Sequence, residues 1–134
     1  MSMTDPLADL LIRIQNAGRR GHETLRVPSS KIKNEVVRIL KDEGYIQDFK
    51  AVTTDGHPAI EIMLRYEAGR QKKSFITGMK RVSKPGCRVY ASADEIPKVM
   101  KGLGLAVLTT DRGILTDEQC RKEKVGGEVL CYVW

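Results

Sequence analysis

Aromatic side chains are scarce in this chain: Phe, Trp and Tyr make up 5% of 134 residues. So low a share excludes, as a main activity, the gripping of single-stranded nucleic acid on stacked rings. Cysteine is scarce and odd in number, at Cys87, Cys120 and Cys131. No two stand at a metal-ligand spacing and nothing suggests a disulfide framework, so a reducing cytosol fits. Cys87 and Cys131 fall in apolar strand patterns and are expected as buried thiols. The two histidines, His22 and His57, have no partner at useful spacing. There is no phosphate-loop lysine motif, no nucleophile elbow and no paired-histidine metal helix. Gly102-Leu-Gly104 is a fragment of a dinucleotide fingerprint without its third glycine. These absences point away from an enzyme, and from any cofactor, metal or small-molecule substrate. No run approaches the ~20 apolar residues of a membrane span, and the N-terminus has no apolar signal core. The expectation is a cytoplasmic protein without a membrane partner.

What is present suits a folded protein with an acidic partner. Hydrophobic residues make up 41% of the chain, enough for a core. Lys and Arg total 23 against 17 Asp and Glu, a net charge of +6. That surplus favours an acidic partner, most commonly nucleic acid. Two other readings stand beside it: charge kept for solubility, and a basic module that meets an acidic protein.

The elements alternate between helical and strand periods, which predicts an α+β fold. Asp5 can cap a first helix, with Pro6 at its first position. Leu7, Leu10, Leu11 and Ile14 make its apolar stripe, and Gly18 is expected to end it. Arg13, Asn16, Arg19 and Arg20 lie off that stripe. A short extended run, Leu25 to Val27, precedes Pro28. Ser29 or Ser30 then caps a second helix with the stripe Ile32, Val36, Ile39 and Leu40, closed by Gly44. Lys31 and Lys33 occupy its first turn, the end where the helix dipole disfavours cations. Either an external anion offsets that cost or the charges are simply solvated. Residues 45–53 and 59–66 read as a hairpin about Asp55-Gly56.

From Lys72 to Arg88 the chain carries Lys72, Lys73, Lys80, Arg81, Lys84 and Arg88 and no acidic residue. Such a one-sign run repels itself unless counter-charge arrives, so it is expected to face the partner. The expected division is an N-terminal α/β half over residues 1–69 and a strand-rich, RNA-binding half over residues 70–134. In the latter, Asp94 is expected to cap a short helix from Glu95 to Lys101. A strand over Leu105–Leu108 leads into the polar turn Thr109-Thr-Asp-Arg-Gly113. Thr116 and Gln119 fit a capping box, and the last strand, Glu128 to Val133, is apolar enough to be central. Gly126-Gly127 has no Cβ and would let another backbone approach. Arg and Lys would contact phosphates, while Ser83, Thr109, Thr110 and the amides near Gly113 and Gly126 supply finer geometry. This mode recognises structured RNA by shape.

Four blocks of sequence make the chain resemble, essentially end to end, the bacterial form of small-subunit ribosomal protein eight. The first is Met3-Thr-Asp-Pro-Leu-Ala-Asp-Leu-Leu-Ile-Arg-Ile-Gln-Asn16. The second is Val27-Pro-Ser-Ser-Lys-Ile-Lys33 with Glu43-Gly-Tyr-Ile46. The third is Arg81-Val-Ser-Lys-Pro-Gly86 with Arg88-Val-Tyr90. The fourth is Gly102-Leu-Gly-Leu-Ala-Val-Leu-Thr-Thr110, Arg112-Gly-Ile-Leu-Thr-Asp117 and Val125-Gly-Gly-Glu-Val-Leu-Cys-Tyr-Val133. The resemblance implies two small α/β halves packed together. It implies direct binding to the central domain of small-subunit ribosomal RNA, a role in assembling the subunit platform, and neighbouring ribosomal proteins as partners. It also implies repression of the chain's own messenger through a similar RNA hairpin. Carried over to this sequence, the hydroxyl-rich turn falls on Thr109-Thr110-Asp111, flanked by Arg112 and Gly113. The tight RNA contact falls near Tyr90 and Gly126-Gly127-Glu128. The basic block brings in Arg81, Ser83, Lys84, Pro85 and Arg88. N-terminal contacts map to Asp5, Arg13, Asn16 and the turn of Ser29, Ser30, Lys31 and Lys33. Asp111 departs from the small hydroxyl residue usual there. It could accept from a base amine or a 2′-hydroxyl, but the expectation, since Gly113 follows at suitable spacing, is that it turns inward to bond the amides of Arg112 and Gly113. Cys120 replaces a usual alanine, and Trp134 is expected to pack on a neighbour.

Overall fold

The computed structural model describes residues 5–70 and 72–134; Met3 and Thr4 of the first block lie outside them. The chain clusters into two compact units, one of residues 9–77 and one joining the start of the chain to residues 78–134. The division expected at 69/70 lies in the turn of a small hairpin inside the first of these.

Helix α1 runs over Pro6–Arg19. Asp5 accepts from the Ala8 amide at 3.2 Å, so the expected cap forms. Gly18 does not end the helix. It lies inside the last turn against Ser74, and the chain leaves the helix through Gly21 at φ 71°. In the unit of residues 9–77, strands β1 (Thr24–Pro28), β2 (Ile46–Thr54) and β3 (His57–Leu64) form an antiparallel sheet in the order β1-β3-β2. Asp55 and Gly56 both take positive φ, 50° and 78°, the geometry a two-residue hairpin needs. Along β3, Ile60, Ile62 and Leu64 are buried, as alternation requires. Glu61 faces the other way between Arg26 and Lys50, its neighbours in register on both sides. Helix α2 (Lys31–Asp42) packs on β2 and buries Val36, Val37, Ile39 and Leu40. The strand expected to reach residue 66 stops at Leu64. Strand β4 (Tyr66–Glu67) then pairs with β5 (Lys73–Ser74) in a separate hairpin.

In the other unit, strands β6 (Met79–Arg81), β7 (Tyr90–Ala91), β8 (Leu105–Thr110), β9 (Gly113–Thr116) and β10 (Gly127–Val133) form an antiparallel sheet. β10 is central, with β8 on one edge and β6 and β7 sharing the other. Its register slips between Val129 and Cys131, and the Leu130 carbonyl accepts from Val82 N at 3.0 Å and Arg81 Nη1 at 2.7 Å. Helix α3 (Asp117–Glu123) carries both bonds of the Thr116/Gln119 capping box and packs on β8 and β9. Ile96, Val99, Ala106, Leu108, Cys120 and Val129 form the core beneath it.

Two expectations fail in this unit. No α-helix forms over residues 95–101. Pro97 supplies no amide and disfavours helical backbone at Ile96, and a single 3-10 turn, Val99–Gly102, follows with left-handed Met100 and Lys101. Cys87 is exposed, because it sits in the tight turn closed by Lys84 rather than in a strand, whereas Cys120 and Cys131 are buried. Trp134 packs within its own unit: its indole covers Gly78, and the two residues exchange backbone hydrogen bonds at 3.0 Å.

Candidate nucleic-acid interface

The end of β8, the turn after it, the start of β10 and strand β7 enclose a shallow open cleft of about 450 Å³. Tyr90, Thr109, Thr110, Asp111, Val125, Gly126, Gly127 and Glu128 line it. Glu128 is in register with Thr109 on one side and Tyr90 on the other. Tyr90 is the exposed aromatic of this region, at 70% of its surface.

Beneath the cleft lies a bonded frame. The Ser83 hydroxyl, fully buried, donates to Glu128 Oε2 at 2.5 Å and accepts from the Val89 amide at 3.1 Å. Arg88 Nη1 donates to the same Oε2 at 2.9 Å. Burial alone would raise the Glu128 carboxyl. The hydrogen bonds from Ser83 and Arg88, with the nearby charges of Arg88 and Arg81, outweigh it and hold the group below its ordinary range. Ser83 therefore ties β10 to the residue just before Tyr90, which fixes where the ring stands. Ser83 is placed by this frame away from any partner's direct reach.

The close backbone approach expected at the glycine pair is met within the protein. A Cβ on Gly127 would overlap the Thr109 carbonyl, and one on Gly126 would overlap the Ala91 carbonyl. The backbone that approaches them is the protein's own, drawing β7 and β8 in against the start of β10.

In the turn, the Arg112 amide donates to Thr110 Oγ1 at 3.0 Å, and that hydroxyl donates to the Gly113 carbonyl at 2.8 Å. The inward role considered for Asp111 is thus taken by Thr110, and Asp111 is exposed on the cleft. Arg112 reaches back to Glu123 at 3.3 Å.

The other candidate residues are dispersed. Asp5 pairs with Arg81 at 3.1 Å, and both side chains are largely buried, so each already has an internal partner. Lys84, Pro85 and Gly86, with Asp5 and Cys87, border a neighbouring hollow of about 380 Å³, where Lys84 is exposed. In the unit of residues 9–77, Ser30 caps α2 through the Lys33 amide at 3.3 Å, and Ser29 accepts from Asn34 at 2.8 Å. Lys33 is 5% exposed and its ammonium donates to the Pro28 carbonyl at 3.2 Å. A carbonyl, not an external anion, offsets its place at the helix start. Lys31 and Asn16 are exposed, and Arg13 pairs with Asp9 at 2.9 Å. Val125 also lines the cleft; only its position next to Gly126 signals this in the sequence. Among the described residues, no group of three or more His, Cys, Asp or Glu could hold a metal ion.

Comparison with known proteins agrees with this architecture. The family model for ribosomal protein S8 matches residues 5–134. The chain is 53% identical over its full length to the whole of the small ribosomal subunit protein uS8 of Clostridioides difficile. The corresponding protein of Halothermothrix orenii is 52% identical and that of Staphylococcus epidermidis 49%, each matching end to end. A family match covering nearly the whole chain, with relatives at about half identity over their full length, leaves one conclusion: the chain belongs to the ribosomal protein S8 family.

Proposed function

We propose that this chain binds the central domain of small-subunit ribosomal RNA through the cleft of the 78–134 unit, and so helps assemble the subunit platform. Family membership makes it a structural, non-enzymatic constituent of the small ribosomal subunit, ribosome-bound in the cytoplasm, with ribosomal RNA and ribosomal proteins as partners. The observation that carries the finer reading is the cleft itself, where residues from three separated stretches of sequence converge on one open concavity. Its chemistry suits ribose and backbone oxygens more than base stacks. Thr109 and the amides around Gly126 offer donors, and Tyr90 offers one ring face. Both internal bonds to Glu128 end on Oε2, which leaves Oε1 as an acceptor for a 2′-hydroxyl or a base amine. Lys84, exposed in the turn that follows Ser83, supplies sequence-independent attraction to phosphate. An RNA hairpin of the same shape would fit equally, which extends the proposal to repression of the chain's own messenger.

A titration of the full chain against the central-domain RNA fragment, beside an unrelated RNA of equal length, tests this. Preference for the central-domain fragment that persists at physiological salt supports it. Equal binding that vanishes as salt rises would favour the alternative, a basic protein–protein module.

A further inference from the structure

The unit of residues 9–77 holds a second concentration of positive charge, separate from the residues of the cleft. Gln15, Gly18 and Arg19 of α1 border a hollow of about 280 Å³ together with Lys72, Lys73, Ser74 and Thr77. No carboxylate lines it, and its apolar side is the buried pair Ile14 and Ile76. The cations differ in what already holds them. Lys72 Nζ donates to the Gly21 carbonyl at 2.9 Å, pairs with Glu23 at 3.5 Å and sits 4.9 Å from the centre of the Tyr66 ring. Lys72 therefore shapes the wall. The side chains of Arg19 and Lys73 are exposed and make no hydrogen bond or ion pair among the described residues. Arg19 gains something from the negative end of the α1 dipole, and Lys73 stands in register with Glu67 across the β4–β5 pair without forming an ion pair with it.

We infer that this hollow is a second RNA contact, which takes a stretch of sugar–phosphate backbone apart from the RNA held in the cleft. The inference rests on the proposed RNA-binding function. The polar lining offers donors at every position: two free cations, the Gln15 amide, and the Ser74 and Thr77 hydroxyls. Phosphate and ribose oxygens use such a set without regard to sequence. The hollow's own apolar residues, Ile14 and Ile76, are buried and offer a protein partner no anchor, and Ile12, exposed on α1, is not part of the lining. The two contacts divide the work. The cleft sets preference between RNAs, and the hollow adds affinity that is blind to sequence and sensitive to salt.

The test is a salt series of titrations with the full-length double variant Arg19→Gln/Lys73→Gln against the central-domain fragment and the unrelated RNA. The slope of log affinity against log salt should become shallower by about two units, about one for each phosphate that is no longer neutralised. Affinity for both RNAs should fall by the same factor, with the preference between them kept. The charge-retaining variant Arg19→Lys/Lys73→Arg should keep the wild-type slope. An unchanged slope in the neutral variant overturns the inference, and does so equally if that variant instead loses an acidic protein partner. A charge-retaining variant that loses the slope also overturns it, by showing a structural role. The underlying function fails separately, when the wild-type chain shows no preference for the central-domain fragment.

Discussion

Ser83 shows how one small side chain can govern a site it does not touch. Its hydroxyl has no exposure, holds Glu128 and is held by the Val89 amide, one residue from the exposed Tyr90 ring. Nothing in a single serine of a basic run announces this, since the register that brings residue 83 against residue 128 is long-range. Glu128 gives the frame a pH signature. Its folded carboxyl lies below the ordinary glutamate range, so its contribution to stability is complete above the unfolded value and is lost as pH falls through the folded one. Asp48 and Glu61 are depressed as well, Asp48 chiefly by the Phe49 amide and Glu61 by the Lys50 ammonium, so they steepen the same limb. Comparing wild type with Glu128→Gln isolates the one group. The melting temperature of the variant should lie below wild type near neutral pH, and the gap should close from about pH 5 downward. A gap that stays constant to low pH would remove Glu128 from the pH dependence.

At the scale of elements, the sequence was most legible where period and punctuation agreed. Asp5-Pro6, Ser30, Asp55-Gly56 and the Thr116/Gln119 box all do locally what their chemistry suggests. It was least legible where a distant element decides the outcome. Lys33 reads as a solvated cation at a helix start, but it is buried and its ammonium donates to the nearby Pro28 carbonyl, a bond that period alone does not announce. Gly18 reads as a helix stop, but Ser74 packs against it from the β4–β5 hairpin. Gly126-Gly127 signalled close approach without naming the approaching backbones, which are those at Ala91 and Thr109. This makes Gly127→Ala a test of β10. The added methyl has a carbonyl in its place, so a strand must shift, at a cost of about 1–3 kcal/mol or more. The melting temperature should fall and specific RNA binding with it, since Thr109 borders the cleft. A variant as stable as wild type would show that the β8–β10 spacing is not set by this glycine.

Across the whole molecule, the net charge of +6 indicated an acidic partner without locating its surface. The basic run divides into different tasks once folded. Arg81 is consumed by Asp5 and the Leu130 carbonyl, Arg88 leans on Glu128, and the Lys84 side chain makes no bond among the described residues. On the proposed function, charge supplies the attraction to RNA, and the preference for one RNA is assigned to the cleft, above all to its turn. Thr110 is the side chain on which both parts depend, because its hydroxyl holds the Arg112 amide and the Gly113 carbonyl while the residue lines the cleft. The most direct measurement is a parallel titration of wild type and Thr110→Leu against the central-domain fragment and the unrelated RNA at physiological salt, with melting curves recorded for both proteins. If the cleft reads the RNA, the variant stays folded and keeps its weak affinity for the unrelated RNA. It then loses at least about tenfold of its preference for the central-domain fragment, the equivalent of ~1.4 kcal/mol. A folded variant with its preference intact would place recognition outside this cleft.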